Sequence, residues 1–317
     1  MLRTTRRVRP RRVRALAAGS VAVAALLAGC GSGPTQAGAA AIVGDTRIPV
    51  DAVQQQVQDV LAREGEEVRA QVAADATFDD ITRQVVTLRI RHELTQQAAQ
   101  REGIEIDEQR VTELVESQGG AEEASAGTVF DAAGFRERAR DQLVAVELGR
   151  RTLPGLAVVV DYTTTTSRDE ARAKARELAA VGAEGARELV QADADAGVEA
   201  AVGERIVAAE TPSFASAPVF GVDPGTVVAF TPDQTGGSWL VMVVRERIED
   251  GDAAAGEEID EATAEAAGIR QLAPVADEVG VRVSPRYGVW DPLTLQAAPN
   301  EDETGGFLEP LAGAPAA

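Results

Sequence analysis

One thiol, Cys30, and one imidazole, His92, are the only thiolate ligand and the only near-neutral base in this chain. It has no Cys-x-x-Cys pair, no second histidine and no Gly-rich loop followed by Lys-Ser or Lys-Thr. Zinc sites, Ser-His triads and phosphate cradles therefore have no candidate residues, and no metal or small-molecule cofactor is expected. Asp193 and Asp195 alternate in an acidic stretch but lack the spacing of a calcium-binding loop. His92 lies on an apolar helix stripe and reads as a packing residue. What remains is the thiol of Cys30 and a set of rings, Tyr162, Phe214, Phe220, Phe230 and Trp239, gathered in the middle of a chain that is only 3% aromatic. These rings would either line a peptide-binding pocket or form the core of their own domain, which needs some large apolar side chains.

Around Cys30 the sequence is more explicit. Seven arginines between residues 3 and 14 precede an apolar stretch, 15–28, that is too short to span a bilayer, so residues 1–29 read as a signal peptide. Leu27-Ala28-Gly29-Cys30 resembles a bacterial lipobox, whose cysteine thiol receives a diacylglycerol and becomes the first mature residue. As the only cysteine, Cys30 has no disulfide partner, although an exported chain meets an oxidising compartment. Residues 30–40, rich in Gly, Ser, Pro and Ala, read as a lipidated flexible tether. The expected location is the extracytoplasmic side of the cell membrane, with the lipid on Cys30 as the only membrane attachment. Sec and twin-arginine export stay open.

Charge narrows the partners. Loss of residues 1–29 lowers Lys plus Arg from 31 to 24 while Asp plus Glu stays at 51, and 24 minus 51 leaves a net charge of −27. Such a surface repels nucleic acid and anionic headgroups. A hydrophobic fraction of 44% supplies a core built mostly from Val, Leu, Ile and Ala.

The elements that must position these residues follow from periodicity. Residues 41–50 read as a strand pair turning at Gly44-Asp45, and Asp51 with Gln54 opens a helix whose stripe is Val53, Val57, Val60 and Leu61. Thr77 with Asp80 caps a second helix reaching Arg101. It carries two apolar stripes, one with Ile81, Val85 and Leu88 and the other with Val86, Ile90 and Leu94. Both stripes are read as covered by neighbouring helices, and a groove floored by one of them is the alternative. Asp107 starts a third helix, and Phe135, Ala139, Leu143 and Val146 mark a fourth that ends before Pro154-Gly155.

Beyond residue 154 the texture changes to a small α/β unit. Residues 158–160, 226–230 and 239–244 read as strands, and Ser167 with Glu170 caps a helix. A further helix over 257–272 and a strand over 281–283 follow. Residues 296–317, acidic and rich in Pro, Gly and Ala, are expected to be disordered.

In this order, AIVGDTRIPVDAVQQQV (41–57), PSFASAPVFGVDPGTVV (212–228), GGSWLVMVVRER (236–247) and VRVSPRYGVWD (281–291) resemble successive segments of the SurA/PrsA family of extracytoplasmic foldases. The resemblance spans residues 41–295 and implies an α+β fold. A mainly helical SurA N-like domain (41–153) would be completed by a C-terminal helix and strand (251–295), with a degenerate parvulin-like domain (154–250) inserted between them. Family isomerases carry two histidines on the first and last strands of the parvulin sheet. Here those positions fall near Asp161, Tyr162 and Thr163 and at Trp239, and Asp161 is read as a solvated strand-end residue.

The resemblance thus implies a lipid-anchored chaperone-like protein that binds unfolded or exported polypeptides without efficient prolyl isomerisation. An isomerase with an altered site around Asp161, Tyr162 and Trp239 and a non-catalytic envelope adaptor are the alternatives. Oligomeric state and client identity are not legible.

Overall fold

The structure is a computed structural model that describes residues 37–63, 78–232, 237–251 and 259–314. Cys30, the expected signal peptide, most of the expected tether and the expected Thr77 cap lie outside the described residues.

The chain opens with a hairpin, β1 (Ala39–Val43) and β2 (Thr46–Pro49), in which Gly44 supplies the positive φ of 56° that a two-residue turn needs. Helix α1 (Val50–Arg63) buries Val53, Val57 and Val60. The long α2 (Phe78–Glu102) is buried along Val86, Ile90 and Leu94, as well as at Val85 on its other stripe. Leu88, also on that stripe, is only half-buried. Asp107 caps α3 (Glu108–Ser117) by accepting the Gln109 N–H at 2.7 Å. A short α4 (Ala121–Ser125) leads to α5 (Ala132–Thr152), capped by Asp131.

Strand β3 (Ala157–Thr165) begins the second half. Ser167 caps α6 (Arg168–Ala180), which is followed by α7 (Gly182–Asp195) and β4 (Ala200–Val207) within a Gly- and Ala-rich stretch. Short 3-10 turns then carry Phe214 and Phe220 to β5 (Thr226–Phe230) and β6 (Trp239–Ile248). Helices α8 (Glu261–Arg270) and α9 (Leu272–Val279) return the chain to the first half. Strand β7 (Val281–Val283) pairs antiparallel with β1, giving a three-stranded sheet ordered β2-β1-β7. The helix expected over 257–272 is α8, which ends at Arg270; the chain breaks at Gln271, and α9 beyond it is not among the elements expected from the sequence.

The fold is α+β, as expected, but residues 296–310 are ordered where disorder was expected. After a small hairpin of β8 (Val289–Asp291) and β9 (Gln296–Ala298), β10 (Gly306–Pro310) pairs antiparallel with β5. The main sheet is therefore five-stranded, ordered β10-β5-β6-β3-β4. An acidic, Pro- and Gly-rich composition suggests disorder only when the charges lack partners. Here Arg168 donates to the Thr304 carbonyl at 2.7 Å, and Arg172 and Arg176 pair with Asp302 and Glu309, each at 3.4 Å. Phe307 stacks on Trp239 with centroids 5.9 Å apart, beneath the guanidinium groups of Arg168 and Arg172.

The halves meet where α5 crosses α8. A Cβ at Gly149 would fall inside the Ala264 carbonyl, and one at Gly268 inside the Ala145 carbonyl, so the two backbones touch directly. Arg270, near the end of α8, is buried. It donates to the Ser216 carbonyl at 3.1 Å and the Leu293 carbonyl at 2.6 Å. Burial lowers its pKa to about 10, and the nearby Arg91 adds to that shift, but the group stays charged at neutral pH.

Because neither backbone can yield without separating the helices, Gly149→Ala is expected to cost about 3 kcal/mol of stability in urea unfolding. At Gly237 an added Cβ meets nothing within 4 Å, so Gly237→Ala is expected to stay within about 0.5 kcal/mol of the parent.

Candidate functional site

The five aromatic candidates do not form one surface. Phe214, Phe220 and Phe230 pack together on one face of the five-stranded sheet, with ring centroids 6.2 Å and 6.1 Å from Phe214, and half-buried Tyr162 joins the same cluster. Phe220 and Phe230 are fully inside it. Trp239 belongs to the opposite face, in the cluster that α6 and α7 cover. Alternation along β3, β5 and β6 explains the split, because neighbouring side chains point to opposite sides of a sheet: Tyr162, Phe230 and Met242 lie on one face, Ala229, Trp239 and Val241 on the other.

The same alternation places Asp161 and Thr163 on the helix-covered face, opposite Tyr162, since they pair with Val243 and Val241 of that cluster. A single site around Asp161, Tyr162 and Trp239 therefore does not exist in this fold. Nor is Asp161 solvated. Its side chain is fully buried, accepts the Gly203 N–H at 2.7 Å and pairs with Arg245, whose Nε donates at 2.7 Å. A buried carboxylate with this many donors is a structural ion pair. Its partners lie 42 and 84 residues away, which is why the local sequence gave no sign of it.

His92 also differs from the packing role expected of it. Its Nδ1 lies 2.7 Å from Asp141 Oδ2, and Gln96 donates to the other carboxylate oxygen at 3.1 Å. The pair faces a cavity of about 580 Å³ whose wall includes Gln56, Leu88, Arg89 and Glu265. The hydrogen bond to Asp141 raises the His92 pKa above 6.5 despite partial burial, and the negative charges of Asp141, Glu137 and Glu93 add to the rise. Arg89 and Arg91, on the same wall, are already committed: Arg89 to Gln56 Oε1 at 2.9 Å, Arg91 to the Leu295 and Thr294 carbonyls at 2.8 and 2.9 Å.

A larger opening lies elsewhere, a cavity of about 1170 Å³ between the three-stranded and five-stranded sheets. It exceeds the roughly 300–1,000 Å³ of ordinary small-molecule pockets. Its walls come from β1, the turn before β5, α9, β7, β8 and β10, segments as far apart as Ala39 and Pro310. Val222, Pro274, Trp290 and Leu308 make it largely apolar, and Asp223, Asp277 and Glu301 stand at it as exposed acids. None of these residues was singled out from sequence. The available signal was the Val-Arg-Val alternation of β7, which fits a half-buried strand and says nothing of the space beside it.

Against known proteins, residues 1–147 match the family model described as the SurA-like N-terminal domain. Among solved structures, the chain is similar to the foldase protein PrsA from Lactococcus lactis, a 3.10 Å crystal structure, at 12% identity and a TM-score of 0.25, covering 78% of this chain and 94% of that one. No curated protein matches the chain.

A histidine with a raised folded-state pKa contributes stability that is complete below its unfolded value, near 6.5, and is lost as pH rises through the higher folded value. His92 is the sole histidine. The urea midpoint is therefore expected to fall between about pH 6 and about pH 8, and His92→Gln to flatten that dependence.

Proposed function

We propose that this chain, which carries a SurA-like N-terminal domain and is of the SurA/PrsA type, is an extracytoplasmic chaperone-like protein that holds unfolded exported polypeptides and is tied to the membrane by a diacylglycerol on Cys30. The observation that carries the reading is the family match of residues 1–147, because that domain belongs to extracytoplasmic chaperones and foldases. The 1170 Å³ cavity supports it physically: it is open and mostly apolar, and it offers an unfolded segment a place to shed water. The acidic chain, with 51 Asp and Glu, keeps such a complex soluble. Membrane attachment is supported by the Leu27-Ala28-Gly29-Cys30 run and by the absence of any other cysteine.

The lipid-free form starting at residue 31 is expected to suppress light scattering from a denatured secreted enzyme at equimolar dose. No suppression across several such clients would overturn the chaperone reading. Cys30→Ala is expected to abolish metabolic incorporation of labelled fatty acid and to move the protein from the membrane to the soluble fraction.

A further inference from the structure

Strand β7 is the edge of its sheet, and its backbone phase is fixed by two bonds. Gly44 N–H donates to the Gly280 carbonyl at 3.0 Å, and Ser284 N–H donates to the Ala40 carbonyl at 2.9 Å. Hydrogen-bonded pairs recur at every second residue of an antiparallel ladder. Gly280, Arg282 and Ser284 therefore turn their backbone groups toward β1, while the N–H and C=O of Val281 and Val283 point the other way. No strand is hydrogen-bonded on that side, although β8 runs close to β7, and among the described residues no hydrogen bond reaches those four groups. All of residues 280–285 line the 1170 Å³ cavity.

The opposite wall is also a sheet edge, but a blunted one. Leu311 N–H donates to the Gly225 carbonyl at 2.8 Å, which sets Phe307 and Glu309 facing β5 and leaves Leu308 and Pro310 facing outward. Pro310 has no N–H to offer, a common protection of edge strands. Strand β7 contains no proline, so its outward N–H groups are both present: its residues are Val, Arg and Val.

We propose that the outer edge of β7 receives an extended segment of the unfolded polypeptide as a fourth strand of the three-stranded sheet. Val281 and Val283 supply two donors and two acceptors, a sequence-independent template suited to many clients. Side-chain preference comes from the walls. Alternate residues of the guest meet the apolar surface of Val222, Pro274 and Trp290, and the remaining ones meet Asp223, Asp277 and Glu301. Those three acids form no ion pair among the described residues and outnumber Arg282, the only basic residue lining the cavity, so the favoured guest alternates apolar with basic or neutral residues.

This inference rests on the polypeptide-binding reading above and deepens it to a binding mode. The probe is a labelled nine-residue peptide alternating valine with lysine and threonine, titrated into the protein. In amide hydrogen exchange, Val281 and Val283 should exchange readily in the free protein and slow by about tenfold or more with saturating peptide, while Arg282, already bonded to β1, is unchanged. N-methylation at every second peptide amide should weaken binding about tenfold in one of the two possible phases and little in the other, because the valine side chains fix the register. Replacing lysine by glutamate should also weaken binding. Tight binding with no protection at Val281 and Val283, or equal effects of both methylation patterns, overturns the strand-addition mode and leaves the chaperone reading standing. Protection that grows with protein concentration in the absence of peptide assigns the edge to a second copy and overturns it as well. Failure to bind any unfolded client removes the chaperone reading itself.

Discussion

Two glycines that let α5 and α8 touch backbone to backbone hold this fold in register. With Gly149 against the Ala264 carbonyl and Gly268 against the Ala145 carbonyl, the helix that returns from the α/β part has one available depth and angle. Everything C-terminal to it inherits that placement. Arg270 can then reach the Ser216 and Leu293 carbonyls, α9 lies against α2, and β7 meets β1 in register. A larger residue at either glycine would move the whole returning segment, and with it one wall of the large cavity.

Charged groups are used inside this molecule mainly as ties between distant segments. Arg91 and Arg270 come from different helices and hold carbonyls of the same turn at residues 293–295. Asp291 accepts from Leu293 N–H, Thr294 Oγ1 and Gly305 N–H and fixes the chain on both sides of that turn. Asp161 and Arg245 do the same across the central strands of the main sheet. Each tie satisfies a buried charge or carbonyl that would otherwise be costly, and each specifies a geometry that apolar packing alone would leave loose.

Elements with a local cause were legible in the sequence. The Gly44-Asp45 turn, the Asp107 and Ser167 caps and the stripes of α1 and α2 all follow from residues within a few positions of one another. Long-range features were not. The Asp141 partner of His92 lies 49 residues away, and the partners of Asp161 lie on two other strands. Helix α7 and β4 were hidden by small residues with little periodicity, and β10 by a composition whose acids find their arginines only after folding. The candidate site suffered most, because a cavity between two sheets is made by six separate segments and no one of them carries its signature.

The fifth strand of the main sheet comes from the last stretch of the chain, and the N-terminal hairpin waits for residues near 281 to complete its own sheet. Both sheets are therefore closed by strands distant in sequence, pairings that carry a high loop-closure cost and form slowly. Until those strands arrive, the open edges of β1 and β5 can pair with another chain, so late closure is the stage at which this fold is most exposed to aggregation.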